Sequence, residues 1–142
     1  MTIVAYIDGG ARGNPGPAGY GVRIEDEHGA LVEELNGFLG TATNNIAEYN
    51  GLLAALRYAR DNGHRAVRIK SDSELLVKQM RGEYRVKNPG LQSLYQEACT
   101  LARQLDRITY DHVRREQNKD ADRLANLAMD QGVKNLRLTI ED

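Results

Sequence analysis

Cysteine is almost missing from this chain, and tryptophan is missing altogether: one Cys and no Trp among 142 residues. Cys99 alone cannot close an internal disulfide. That excludes a disulfide-stapled secreted scaffold and points to a reducing compartment, so a cytoplasmic location is expected. Histidine is scarce as well, at three residues, and no His/Cys cluster has the spacing of a zinc site. No GxxxxGK[ST] segment is present to cradle a nucleoside triphosphate. No apolar stretch approaches the roughly 20 residues that span a bilayer. The short apolar run before Asp8 is no signal peptide, and no membrane partner is expected. Net charge is close to absent, at −1, so total charge does not advertise a polyanion binder.

What is present suits one globular domain. Hydrophobic residues make up 41% and charged residues 27%, both near the globular norm, and the length allows a core that folds alone. Charge is unevenly spread. From Arg57 to Lys87 there are nine Lys/Arg against four Asp/Glu, whereas Glu25 to Glu34 holds five acids and no base. One basic face would produce such asymmetry; solvated helix and hairpin faces would produce it equally well.

Apolar periodicity gives the element order. Residues 2–7 read as a strand apolar on both faces, with Ile3, Ala5 and Ile7 on one side and Val4 and Tyr6 on the other; such a strand belongs inside a covered sheet. Residues 9–19, rich in Gly and carrying Asn14, Pro15 and Pro17, read as a turn or loop. Residues 20–25 and 30–39 read as two strands around a turn near His28-Gly29. A helix is expected from Asn44 to about Asn62-Gly63, with Ile46, Tyr49, Leu52, Leu53 and Leu56 as its apolar stripe. A strand at 66–71, helices at about 73–81 and 91–105, a strand at 107–113 and a helix at 118–129 follow. The order βββαβααβα implies an α/β fold with a mixed five-stranded sheet flanked by helices. Residues 1–131 form the expected domain. In the tail, 132–142, Leu136, Leu138 and Ile140 alternate, so an edge strand or ordered arm is expected.

The carboxylates fall at telling places. Asp8 and Asp72 each close a strand, and open α/β sheets bind ligands outside the carboxyl ends of their strands. Asp72, followed by Ser73 and Glu74, also suits a helix cap. Glu48 lies on the flank between the apolar and polar faces of its helix, and Asp122 occupies a similar flank of the last helix; taken singly, either acid reads as merely solubilising. Converging acids raise one another's pKa. Hard divalent cations relieve that, since Mg²⁺ prefers oxygen ligands and keeps several waters. Two such ions about 4 Å apart activate water and stabilise a leaving oxygen on phosphorus.

These residues also sit in a recognisable pattern. Tyr6-Ile7-Asp8-Gly9-Gly10 with Gly13-Asn14-Pro15-Gly16-Pro17-Ala18-Gly19-Tyr20-Gly21 resembles the opening of a type 1 ribonuclease H. Thr43-Asn44-Asn45-Ile46-Ala47-Glu48 resembles that family's TNN-x-x-E segment, Ser71-Asp72-Ser73 its third site and Asp122-Arg123-Leu124-Ala125 its fourth. The resemblance covers about residues 2–130. It implies a ribonuclease H fold and endonucleolytic hydrolysis of the RNA strand of RNA/DNA hybrids, leaving 3′-hydroxyl and 5′-phosphate ends. It implies two Mg²⁺ ions, or Mn²⁺ in their place, held by Asp8, Glu48, Asp72 and Asp122, with Asp8 bridging both and Glu48 sensing the RNA sugar. Gly9, Gly10, Asn14, Thr43, Asn44, Asn45 and Glu74 are the implied substrate contacts. Asn44 is also a candidate helix N-cap. A 2′-hydroxyl reached from a shallow minor groove distinguishes RNA from DNA. Double-stranded RNA is an expected minor substrate, and a monomer is expected.

Three departures stand out. Residues 81–89 are short and basic without Trp, where many members carry a basic, Trp-containing protrusion. Val113-Arg114-Arg115-Glu116-Gln117 lacks the catalytic-loop histidine, as in a short archaeal-like subgroup; Arg115 is the candidate to assist in its place by holding a phosphate oxygen. His112 reads as a strand residue, and Glu74 stands where many members have Gln. Exonucleases and transposase-like nucleases share the acids without the GNPGPxGYG loop and TNN-x-x-E. A hybrid-binding module that had lost catalysis would lack some of the four acids.

Overall fold

The computed structural model describes residues 2–141, with side chains through 138. Its elements run β1 (Thr2–Ala11), β2 (Gly16–Glu25), β3 (Leu31–Ala42), α1 (Asn44–Asp61), β4 (Ala66–Ser71), α2 (Glu74–Met80), α3 (Pro89–Arg103), β5 (Arg107–His112) and α4 (Lys119–Glu141), with one turn of 3-10 helix at Arg115–Gln117. The sheet order is β3-β2-β1-β4-β5. β1 pairs antiparallel with β2 and parallel with β4, and β4 is parallel to β5. The expected mixed sheet therefore forms, with the doubly apolar β1 at its centre.

Each face is covered by a helix. Ile3, Ala5 and Ile7 join Tyr49, Leu52, Leu53 and Leu56 of α1 in one buried cluster, to which α3 adds Leu91, Ala98 and Leu101. On the other face α4 buries Ala121, Leu124, Ala125, Ala128 and Met129. None of the helices among the described residues is long and apolar enough to cross a membrane.

Two expectations need correction. The stretch 9–19 is not a loop throughout: the β1–β2 ladder persists to Ala11↔Ala18, leaving a connection of only four residues. Glycine cues mark close approach here as much as turning. The tail is not an edge strand, because α4 continues to Glu141. Gly132 lies inside the helix, where the ring of Phe38 occupies the space a Cβ would need. Leu136 and Leu138 are helical and about half exposed, and an alternation of three apolar residues is too short to distinguish strand from helix.

Candidate active site

Four elements meet at the carboxyl end of β1. Ile7 pairs with Ser71 across the parallel β1–β4 ladder, so Asp8 and Asp72 follow at the same level. Two glycines set how closely the helices approach. A Cβ at Gly9 would overlap the backbone of Ala47 and Glu48, so α1 lies directly on β1 and brings Glu48 beside Asp8. Gly21, the ladder partner of Asp8, plays the same part on the opposite face, where a Cβ would overlap Ala121 and Ala125 of α4. Asp122, one residue beyond Ala121, thereby reaches the same place.

Asn118, just before α4, fixes the junction. Its side-chain amide donates to Ile7 O at 2.9 Å, its carbonyl accepts from Asp122 N at 3.1 Å, and it is buried. Its Oδ1 is buried without a hydrogen-bond partner. The apolar pattern of α4 gives no hint of this role, because Asn118 is expected only as the first residue of the helix at 118–129.

The resulting cleft of about 460 Å³ is lined by Asp8, Glu48, Asp72 and Asp122, by Gly9, Gly10 and Asn44, and by Arg12, Arg115 and Lys119. Its electrostatics are those of crowded acids. Burial, the charge of Asp72 and a shared hydrogen bond with Asp122 push the Asp8 carboxyl up to about 8, against a smaller opposing hydrogen bond from Gly9 N–H. Burial pushes Glu48 up to about 7 despite a hydrogen bond from Ser73. Asp72 is also raised, chiefly by burial, while Asn118 and the charge of Arg115 pull it down. Such a site favours binding of positive charge. Among the described residues no three His, Cys, Asp or Glu side chains close into a metal cage. The donors are all oxygens on an open cleft, which fits a hard cation that retains waters better than one that demands a complete protein shell.

The remaining expected residues separate into two groups. Gly10 and Asn44 line the cleft, whereas Asn14, Thr43, Asn45 and Glu74 do not. Asn44 is not the N-cap of α1. Thr43 is, its hydroxyl accepting from Ile46 N at 3.2 Å, while Asn44 Oδ1 accepts from Ala11 N at 2.7 Å and Asn44 N donates to Asn14 Oδ1 at 3.1 Å. Asp72 likewise does not cap α2; Ser73 does. Glu74 is exposed and pairs with Lys78 at 2.8 Å. His112 ends β5, with its Nε2 3.2 Å from Asp72 O. Arg115 lines the cleft, whereas Arg114 does not, its backbone N–H donating to Gln117 Oε1. Sequence reasoning missed Arg12, Lys119 and Asn118. A basic residue inside the glycine-rich segment was the available signal for Arg12.

The family model described as reverse transcriptase-like matches residues 6–128. The N-terminal ribonuclease H domain of Rv2228c from Mycobacterium tuberculosis superposes with a TM-score of 0.92 at 44% identity, covering 96% of this chain and 99% of that one. Ribonuclease HI of Halobacterium salinarum is 41% identical over 90% of this chain and 64% of its own length. This chain belongs to the type 1 ribonuclease H family. A ribonuclease H1 named LC11, solved in complex with an RNA/DNA hybrid, superposes with a TM-score of 0.88 at 40% identity over 92% of this chain and 99% of that one. The chain spans 36% of the length of Rv2228c, which is named a bifunctional protein. The shared ribonuclease H fold accounts for the strand order.

Proposed function

We propose that this chain is a divalent-metal-dependent endoribonuclease that hydrolyses the RNA strand of RNA/DNA hybrids, leaving 3′-hydroxyl and 5′-phosphate ends. One observation carries the reading: four carboxylates, from β1, α1, α4 and the turn after β4, line a single cleft beside Asn44 and the glycine-rich end of β1. Membership of the ribonuclease H family supports the substrate class.

Asp8, Glu48, Asp72 and Asp122, which line one cleft, would hold two Mg²⁺ or Mn²⁺ ions. When bound, such ions lower the pKa of water and stabilise charge on a phosphate undergoing in-line displacement. The chain's own residues do the rest. Glu48, held by Ser73 on the flank of α1, is placed to accept a hydrogen bond from a ribose 2′-hydroxyl, the group DNA lacks. Gly10, which lines the cleft with room at its Cβ position, lets a strand approach the backbone closely, whereas Gly9, whose Cβ position is taken by α1, offers the strand only its backbone groups. Asn44, fixed through its side-chain oxygen by Ala11, lines the cleft, and in this reading it contacts sugar or phosphate together with Asn14, Thr43 and Asn45. Arg115 stays protonated and is placed to grip a non-bridging phosphate oxygen. Glu74 faces the flanking base pairs. Double-stranded RNA, which shares the 2′-hydroxyls, is a minor substrate in this reading, and the working unit is a monomer.

The deciding experiment is cleavage of an end-labelled hybrid. Internal cuts in the RNA strand are expected with Mg²⁺ or Mn²⁺, none in EDTA, and none in double-stranded DNA. Laddering from one end only, or activity that survives EDTA, would refute the reading.

A further inference from the structure

Between β1 and β2 the chain crosses in four exposed residues, Arg12 to Pro15, of which Arg12 lines the cleft. With no apolar anchor, this crossing is located by polar ties. Those leading to α1 run through Asn44, which accepts from Ala11 N and donates its backbone N–H to Asn14 Oδ1. The tie leading to α4 is the side chain of Arg12. Its Nη2 lies 2.6 Å from Asp130 Oδ1, and 3.4 and 3.5 Å from the backbone and side-chain oxygens of Asn126.

Asp122, Asn126 and Asp130 are spaced at i, i+4 and i+8, so they form one stripe along α4. Asn126 reinforces it by donating to Asp122 O at 3.0 Å. The Arg12 guanidinium therefore grips the two outer rungs of the stripe whose first rung carries a carboxylate of the site. Arg12 and Asn126 both line the cleft.

We infer that Arg12 is a positioning residue that, through Asp130 and Asn126, sets the distance between the Asn14 crossing and the Asp122 stripe and so the width of the mouth through which the RNA backbone enters. This rests on the proposed ribonuclease H reading. The pairing also neutralises Asp130, an exposed acid one helical turn beyond the cleft-lining Asn126. The pair is half exposed, with side chains 42% and 63% accessible, and exposed pairs are worth little individually. Its effect is accordingly confined to placing the rim.

The test is steady-state cleavage of a hybrid by the full chain carrying Arg12→Ala, Asp130→Ala, both together, or the exchange Arg12→Asp with Asp130→Arg. Each single variant is expected to raise KM by about two- to fivefold, the scale of an exposed pair, at unchanged kcat. The double variant should be no worse than either single one, and the exchange should recover most of the loss. Losing a cation that touches phosphate flattens the salt dependence of binding, whereas losing a positioning pair leaves its slope unchanged. A defect in Arg12→Ala alone, with a flatter salt slope and no rescue by exchange, would overturn the inference in favour of direct phosphate contact. Unchanged KM in both single variants would overturn it outright. The unsubstituted protein in the same assay reports on the ribonuclease reading independently: if it fails to cut the hybrid, that reading falls, whatever the variants do.

Discussion

The floor of the cleft and its rim are built by different physics. At the floor, backbone meets backbone: β1 touches α1 at Gly9, β2 touches α4 at Gly21, and neither contact leaves room for a methyl group. The acids are located by these contacts and by a buried asparagine. At the rim, the groups are exposed side chains: Arg12, paired with Asp130, and Arg115, carried on its short turn. Close-packed interiors respond to a single methylene, while exposed ion pairs contribute between nothing and about 1 kcal/mol. The floor should therefore be all-or-none in its response to substitution and the rim graded.

The largest effect belongs to the floor acids. Asp8→Asn, Glu48→Gln and Asp72→Asn keep the shape and remove one charge. Each should reduce turnover by more than the roughly 10- to 100-fold typical of groups that merely support metal ligands, as measured by cleavage with Mg²⁺. Stability should move the other way. Asp8 is raised in the folded protein from 3.8 to about 8, so between those values the unfolded chain is ionised while the folded one holds its proton. Folding then carries a penalty that grows as pH rises from about 4 and levels off near 8. In metal-free buffer, Asp8→Asn should raise the melting temperature, and by more at pH 8 than at pH 5. Equal melting curves at both pH values would mean that the acids are not crowded as described. Full activity in these variants would erase the distinction between floor and rim.

Arg115 tests the border between the two. It is exposed, yet it lines the cleft and its charge acts on Asp72. If it holds a phosphate oxygen as charge develops, Arg115→Ala should lower kcat by about a hundredfold, the scale for removing one donor from such a site. Affinity for the hybrid, measured with Ca²⁺, should change much less. Arg114→Ala should mainly weaken binding. An unchanged kcat for Arg115→Ala would return Arg115 to the graded rim.

Gly21→Ala probes the floor without touching any acid. The new methyl would press on backbone atoms of α4, and overpacking of this kind costs about 1–3 kcal/mol, readable as a shift in the denaturation midpoint. Activity should fall with it, because α4 carries Asp122. Gly40, with φ +72° and no atom within 4 Å of an added Cβ, is the contrasting position: Gly40→Ala strains only its own backbone and should leave kcat unchanged.

Much of the floor was legible in the sequence because its signals are local. Acids at strand ends, the doubly apolar β1 and the helical stripe of α1 each follow from a few neighbouring residues. What was not legible depends on partners distant in the chain. Asn118 reaches Ile7, Arg12 reaches Asp130, and Gly132 admits Phe38; no pattern of neighbouring residues announces any of these contacts. The same cause shortened the expected β1 and β2, whose glycine-rich ends read as turn until the ladder to Ala18 is seen. Asn44, expected to cap its helix, yields that task to Thr43 because its own carbonyl oxygen is taken by Ala11. That contact spans 33 residues and leaves no trace in the local pattern.

The smallest effect is expected at Glu74, which sits in the first turn of α2, exposed, with its carboxyl held below the usual range by Lys78. Glu74→Gln loses an i,i+4 pair worth a few tenths of a kcal/mol and some favourable interaction with the helix N-terminus, so stability should fall only slightly. Towards a hybrid the sign reverses. If a bound hybrid extends as far as Glu74, its carboxylate repels the phosphates, and glutamine removes that repulsion while adding a donor for a base edge. KM should therefore fall, by about twofold, the scale of one exposed charge interaction. The gain should shrink as salt rises and the charge is screened. A KM that stays lower at high salt would instead assign the gain to a hydrogen bond from the new amide, and a KM that rises would mean that Glu74 itself is a substrate contact, shaped by its chemistry and not by its charge.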